Sequence, residues 1–330
     1  MRVVFSEDPR DFQRRDWTDL VRADPGGTFF HQPGYLKLYW EEFGQTPDHL
    51  LLAFGEDASG AQVAASAFER VGGTLRFLGG TEVTDYLGPV GTREVQPAFA
   101  NALWTGLLER DDWRTADLRG LPEDRAWLGL LRHAAESLGC SVMEDDDPNG
   151  VAPLLPLPDS WEGYLESLPS KLRHEIKRKA RKLETEAGPY RVVVADEGSL
   201  AGLLDRFVEL HRTSEGPKGV FMVPGMEIFF RRLGEAFCDD GVFRLTFIEV
   251  QGQLAAGTIG FVFGGTYFLY NSAFDRSWGA LAPGMVLVAE DIRQAIEAGC
   301  DGFDLLKGDY AYKYRFGATA RRVRRLVVER

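Results

Sequence analysis

A mixed α/β chain in two tandem domains is expected from three features of the sequence: its length, the alternation of strand-like with helical segments, and a proline-rich break near the middle. At 330 residues with 44% apolar content, the chain can bury two hydrophobic cores, because single cores stop growing at a few hundred residues. Strand-like runs at 62–69 and 74–78 alternate with helical patterns at 34–42, entered through Pro33, and at 95–109. Between Asp147 and Asp159 the chain turns acidic and then proline-rich (Pro148, Pro153, Pro156, Pro158), a composition expected to leave secondary structure and connect compact units. This places one domain over residues 1–150 and a second over 151–330, each a mixed sheet flanked by helices.

Charge and cysteine usage narrow the class. A formal charge of -12 and a pI near 5.0 repel polyanions, so contact with nucleic acid or an anionic membrane needs a local basic patch, and DNA is not an expected partner. Cys140, Cys238 and Cys300 are far apart, odd in number and without metal-ligand spacing, which fits a reducing compartment and predicts no metal. The N-terminus runs straight into charge (Arg2, Glu7, Asp8, Arg10), and no apolar run reaches membrane-spanning length. A cytoplasmic protein without membrane insertion is expected. No GxSxG elbow, Walker loop, dinucleotide fingerprint or zinc motif is found in the sequence.

The halves echo one another. An amphipathic helix at 127–138 ends at Gly139-Cys140, and a helix at 286–298 ends at Gly299-Cys300, each glycine fitting a helix C-cap. Each follows a strand-like run, at 115–119 and at 266–272, so the order strand, helix, Gly-Cys, strand occurs twice. They differ at the helix start: in the second half a loop over 273–282 leads to Pro283, Gly284 and Met285, a start whose first-turn N–H groups lack helical partners. Such a start fits either an anion site or an ordinary core helix.

The stretch from Tyr267 to Gly317 reads YFLYNSAFDRSWGALAPGMVLVAEDIRQAIEAGCDGFDLLKGDYAYKYRFG. Its Phe274-Asp275, Pro283-Gly284, Gly299, Phe303-Asp304, Gly308, Tyr312-Lys313 and Phe316-Gly317 resemble, in order and spacing, the CelD-like (cellulose-biosynthesis-associated) branch of the GNAT acetyltransferases, related to FemAB-type aminoacyltransferases. Further matches are Asp85-Tyr86, the segment 154–157 before Ser160-Trp161, and the basic run SKLRHEIKRKARKLE from Ser170. The resemblance covers nearly the whole chain. It implies two tandem GNAT-like (acyl-CoA N-acyltransferase) domains and acyl transfer to an amine.

Transfer from a thioester needs a held donor phosphate, a polarised carbonyl, a neutral amine and a proton source for the thiolate. Backbone N–H groups at Gly284, Met285 and Val286, following Pro283, are the candidates for the donor pyrophosphate of acetyl-CoA or another acyl-CoA. Asp304, on the face of its strand opposite Phe303 and Leu305, either orients and deprotonates the amine or makes a structural hydrogen bond. Tyr310 and Tyr312 are candidate proton donors, with a core-edge role as the alternative. Lys307 and Lys313 fit either an anionic ligand or ordinary surface. In the helix over 171–184, Leu172, Ile176, Ala180 and Leu183 form one face and leave Arg173, Lys177, Arg178 and Arg181 on the rest. Arg173 and Lys177, one turn apart, fit a shared phosphate or carboxylate. Asp85 and Tyr86 are read as acceptor contacts reaching an interdomain cleft, or as a polar turn. His31 and His211 stand alone and read as structural. The run Arg321, Arg322, Arg324, Arg325 alternates with Val323, Leu326 and Val327 and reads as an edge strand guarded by charge.

The expectation is therefore an N-acyltransferase that moves an acyl (acetyl) group from acyl-CoA to an amine of a sugar, peptide, small metabolite or cell-envelope precursor. Two alternatives stand beside it: a FemAB-like transferase using aminoacyl-tRNA, the one case in which tRNA is a partner, and a noncatalytic GNAT-fold protein assisting polysaccharide assembly.

Overall fold

The computed structural model describes residues 1–14, 16–44, 49–80, 82–213 and 221–330. The chain clusters into two compact units, Met1–Val151 with Arg321–Arg330, and Ala152–Ala320. The final ten residues, expected in the second domain, thus pack with the first.

The first unit contains β1 (Arg2–Ser6), α1 (Trp17–Ala23), α2 (Pro33–Phe43), β2 (Leu50–Glu56), β3 (Gln62–Val71), β4 (Thr74–Phe77), β5 (Val90–Gly91), α3 (Gln96–Leu108), β6 (Thr115–Pro122), α4 (Ala126–Ser137) and β7 (Ser141–Val151). The second contains β8 (Leu154–Pro156), α5 (Trp161–Ser167), α6 (Ser170–Ala187), β9 (Tyr190–Val194), α7 (Leu200–Arg212), α8 (Pro224–Phe237), β10 (Phe243–Val250), β11 (Gln253–Phe263), β12 (Thr266–Phe274), α9 (Pro283–Glu297) and β13 (Gly302–Asp304). β14 (Arg322–Glu329) then returns to the first sheet.

The sheets repeat one plan. In the first, β1, β2, β3 and β4 run antiparallel in sequence, and β6 lies parallel to β4. In the second, β9, β10, β11 and β12 do the same, and β13 lies parallel to β12. A parallel neighbour demands a crossover, which α3 and α9 supply. The internal repeat is therefore β4-α3-β6 with β12-α9-β13. The echo read from Gly139-Cys140 and Gly299-Cys300 matched the wrong helix, because α4 leads into β7, which pairs antiparallel with β14.

Two other expectations change. The acidic stretch near Asp147 does not leave secondary structure: β7 runs through it to Val151. Pro148 is tolerated there because β7 is the sheet edge. β14 is not an edge strand; it lies between β6 and β7. Its arginines face carboxylates on both neighbours, Arg325 reaching Asp117 at 2.6 Å and Arg324 reaching Glu144 at 3.1 Å. The charge alternation that resembled edge protection is cross-strand pairing.

In α3, Phe99, Leu103, Trp104 and Leu107 recur at helical spacing and pack on Leu128, Leu131 and Ala135 of α4. Two tryptophan Nε1 groups donate to carbonyls, Trp104 to Leu131 O at 2.9 Å and Trp113 to Leu107 O at 2.8 Å. In the second unit, Val288, Ile292 and Ile296 of α9 meet Tyr164, Ile176, Tyr267 and Phe303, with Tyr267 and Phe303 stacked at 4.9 Å.

The first unit also depends on buried Asp24. Its Oδ2 accepts from Gly91 N (3.0 Å), Gln96 Nε2 (3.3 Å) and Trp127 Nε1 (2.8 Å), joining β5, α3 and α4. Asp24→Ala strands three buried donors and should lower unfolding free energy by about 3 kcal/mol. A loss below about 1 kcal/mol in urea titration would contradict that role.

Candidate functional site

The parallel ladder of the second unit is short. β12 and β13 pair at Thr266↔Gly302, Tyr267↔Phe303 and Phe268↔Asp304, and the ladder ends there. β12 continues to Phe274 on β11 alone, with a bulge at Tyr270. Beyond Asp304 the chain turns to its other side: Leu305 N donates to Pro153 O at 2.9 Å, and Leu306 takes the left-handed conformation at φ 60. The result is a gap at the carboxyl ends of two parallel strands, where α/β sheets commonly bind ligands.

The corresponding gap in the first unit is filled by its own chain. After Leu75↔Ala116, where β4 and β6 part, the following segment folds back. Leu87 N donates to Gly120 O at 3.0 Å, and β5 pairs Val90 and Gly91 with Ala65 and Ala64 of β3. Gly120 has φ 78, and a Cβ there would meet Leu87 N at 2.9 Å, so only glycine allows the approach. Asp85-Tyr86 lies in this returning segment. Tyr86 is buried; its hydroxyl accepts from Arg321 Nη2, whose guanidinium lies 4.8 Å from the ring centroid. Tyr86 is therefore packed as a core residue, while Asp85 is half-buried beside it.

At the second gap stands the start of α9. Ala282 is left-handed (φ 51) and precedes Pro283. Its carbonyl accepts from Met285 N at 3.0 Å and Val286 N at 3.3 Å. Of the three N–H groups expected to cradle an anion, two are thus used inside the helix. Gly284 differs: the carbonyl four residues before it, that of Ala280, lies ahead of the helix and accepts from Lys182 Nζ of α6 at 2.9 Å. A Cβ on Gly284 would lie 3.8 Å from Phe274, which is 44% exposed at the end of β12. Lys182 brings α6 to this helix start, with Arg178 and Lys179 one turn away along it. Arg173 is half-buried and Lys177 exposed on the same helix.

The loop after β13 gathers the remaining candidates. Asp304 is 2% exposed, and its Oδ1 accepts from Leu306 N at 2.8 Å. Lys313 is also buried, with Nζ donating to Leu306 O at 2.7 Å and Lys307 O at 2.9 Å. Both residues brace the left-handed turn, which is the structural alternative read for Asp304 and a correction to the surface reading of Lys313. Lys307 is half-buried and lends its carbonyl to that brace. Tyr310 is 62% exposed and stacks on Tyr312 at 6.3 Å. Burial, reinforced by Tyr310, pushes the Tyr312 phenol up to about 12, so it stays protonated at neutral pH. His31 is buried against Thr28 and pulled down to about 4 by desolvation; His211 is buried between Phe207 and Phe221.

Sequence reading missed Asp291. It is 1% exposed on the sheet-facing side of α9, and its Oδ2 accepts from Thr258 Oγ1 at 2.8 Å. The available signal was a carboxylate within the apolar stripe of Leu287, Val288, Ile292 and Ala295.

Residues 170–314 match the protein family described as acetyltransferase (GNAT) domain. No curated protein sequence matches the chain. Among solved structures, FemX superposes with a TM-score of 0.70 at 12% identity, covering 99% of this chain and 97% of its own. A conserved protein of unknown function from Bacteroides thetaiotaomicron VPI-5482 gives 0.62 at 12% identity, covering 99% and 100%. The C-terminal domain (DUF2156) assigned to a lysylphosphatidylglycerol synthetase of Agrobacterium fabrum gives 0.57 at 14% identity, covering 98% and 92%. At these identities the likeness is one of fold.

Lys313→Met would leave the Leu306 and Lys307 carbonyls without their donor and should cost about 2 kcal/mol in urea unfolding. An unchanged midpoint would remove Lys313 from the brace. The second unit, with its parted parallel strands and its match over residues 170–314, carries an acyltransferase domain of the GNAT type.

Proposed function

We propose that the protein is an N-acyltransferase whose second unit takes an acyl group from acyl-CoA and passes it to an amine of a sugar, peptide, small metabolite or cell-envelope precursor. The observation that carries this reading is the open gap between β12 and β13 beside the Gly284 helix start, set against the filled gap of the first unit. Gly284 N–H and the helix dipole would meet a donor phosphate, with the cationic residues of α6 nearby. The extended arm of the donor would lie along the side of β12 that no strand among the described residues covers beyond Phe268.

Acyl transfer joins the amine nitrogen to the acyl carbon and breaks the carbon–sulfur bond; the proton that the nitrogen gives up to solvent balances the one that the departing thiolate takes up. Asp304 is engaged with Leu306 N, so it is assigned to the loop and not to proton transfer. Tyr310 is the exposed hydroxyl of the cluster and is assigned the proton for the thiolate, with Tyr312 stacked beneath it. The CelD-like assignment agrees with this reading through the motifs at Pro283-Gly284, Phe303-Asp304 and Tyr312-Lys313.

A second reading rests on α6. Lys171, Lys177, Arg178 and Arg181 are exposed along one helix of a protein whose net charge is -12. Such a stripe fits the phosphates of an aminoacyl-tRNA as well as those of CoA. The Agrobacterium fabrum structure bears the name of a lysylphosphatidylglycerol synthetase, and FemX shares the fold.

Calorimetric titration with acetyl-CoA and longer acyl-CoAs tests the first reading. Saturable binding is expected in the wild type, weakened at least about tenfold, or about 1.4 kcal/mol, by Gly284→Trp. No binding to any acyl-CoA, with salt-sensitive binding of aminoacyl-tRNA, would replace it with the second reading; binding of neither would favour a noncatalytic protein.

A further inference from the structure

Gly284 and Asp291 are seven residues apart on α9, which places them on one face of the helix about two turns apart. Gly284 lies against Phe274 at the end of β12. Asp291 meets Thr258 on β11 at 2.8 Å. The helix is therefore tied to the sheet at its middle by a buried carboxylate, about two turns beyond Gly284 and on the same face. Oδ1 of that carboxylate is buried without a hydrogen-bond partner. A carboxylate so placed is costly when charged and easily held when neutral.

We infer that Asp291 is a positioning residue that seats α9 on the sheet, and that its ionisation weakens donor binding at the Gly284 start. The inference rests on the reading of Gly284 as the donor site.

The groups around Asp291 leave it little compensation for charge. Thr258 of β11 and Thr246 of β10 favour the charged form, while Glu290 on the helix itself opposes it. Tyr267 of β12 shares the buried space, and Arg244 of β10 acts on that tyrosine. Glu290 is turned to Tyr190 of β9 at 2.8 Å and to Arg293 at 3.6 Å. The side chains that α5 and α6 pack around the helix include Tyr164, Leu165, Ile176 and Leu183, which bring no charge. Burial pushes the Asp291 carboxyl up to about 7.

The sign follows from linkage. Between the ordinary value of 3.8 and about 7, the unfolded chain has released this proton and the folded chain retains it. Stability therefore falls as pH rises through that window and levels off above it. A donor that binds only the seated helix binds more tightly to the protonated protein, by the same linkage.

The test is calorimetric titration of full-length protein with acetyl-CoA at about pH 6 and about pH 8.5, either side of the carboxyl midpoint, with thermal unfolding over the same range. Asp291→Asn keeps an acceptor for Thr258 and cannot ionise. The expected result is that wild-type affinity falls about fivefold more than that of the variant between the two pH values. Comparing the two proteins cancels the titration of the donor's own phosphate, near pH 6. Thr258→Val, which removes a stabiliser of the charged form, should move the wild-type pH midpoint upward and serves if the asparagine variant does not fold. Equal pH profiles in wild type and Asp291→Asn, with binding intact, would overturn the inference while leaving the donor site standing. Absence of acetyl-CoA binding by the wild type at both pH values would remove the donor site and this coupling with it.

Discussion

The parting of β12 from β13 after three paired residues governs the organisation of the second unit. Two parallel strands that separate expose backbone on one side of each, and buried backbone must find partners. On the β13 side the chain satisfies this by turning at Leu306 toward Pro153, held by Asp304 and Lys313. On the β12 side β11 is the strand that pairs with the backbone toward Phe274, and Ser272 N turns to Asn271 Oδ1 at 2.8 Å. The first unit starts from the same β4-α3-β6 plan and resolves it with its own Leu87 and β5. The same topology thus yields a gap filled by a pairing segment in one unit and one that no strand among the described residues fills in the other, according to the path of the chain leaving the fourth strand.

Buried charge maintains both arrangements. Asp24 holds three donors from three elements in the first unit. Asp304 and Lys313 hold the turn after β13, each through backbone groups of Leu306. These groups offset their desolvation by hydrogen bonds, and removing one partner leaves the others exposed to the full cost. Asp291 is the exception, with one oxygen satisfied and one not. Burial of this incompletely compensated carboxylate pushes it up to about 7.

The two-sheet α/β class was legible because helical and strand periodicities are local properties of the sequence. So were the Pro283 start of α9 and the amphipathic α6, whose apolar positions Ile176 and Leu183 are buried as their spacing required. What was not legible depends on strand pairing. The β14 arginines resembled an edge strand because sequence alternation is the same whether a charged face meets solvent or a row of carboxylates. The repeat was matched through Gly-Cys dipeptides because helix C-caps are conspicuous in sequence, whereas the parallel pairing that defines the repeat is not. Asp304 read as either a catalytic or a structural carboxylate and Lys313 as either a ligand contact or surface, because a polar residue after an apolar strand looks alike whether it points to a ligand or to the next turn of its own loop. Asp291 escaped notice because Thr258, its partner, is 33 residues away.

The placement of these groups constrains the proposed chemistry. Tyr312, kept protonated by burial, has no capacity to take a proton from the amine at neutral pH, and Asp304 has one oxygen committed to Leu306 N. An amine nucleophile would then enter already neutral, and the fraction of amine in that form rises with pH. In the proposed chemistry exposed Tyr310 supplies the proton for the leaving thiolate, with Tyr312 stacked beneath it. The proposed ionisation of Asp291 acts in the opposite direction, loosening donor binding as pH rises. A site built this way works between two limits, the lower set by the acceptor and the upper by a carboxylate that touches neither reactant.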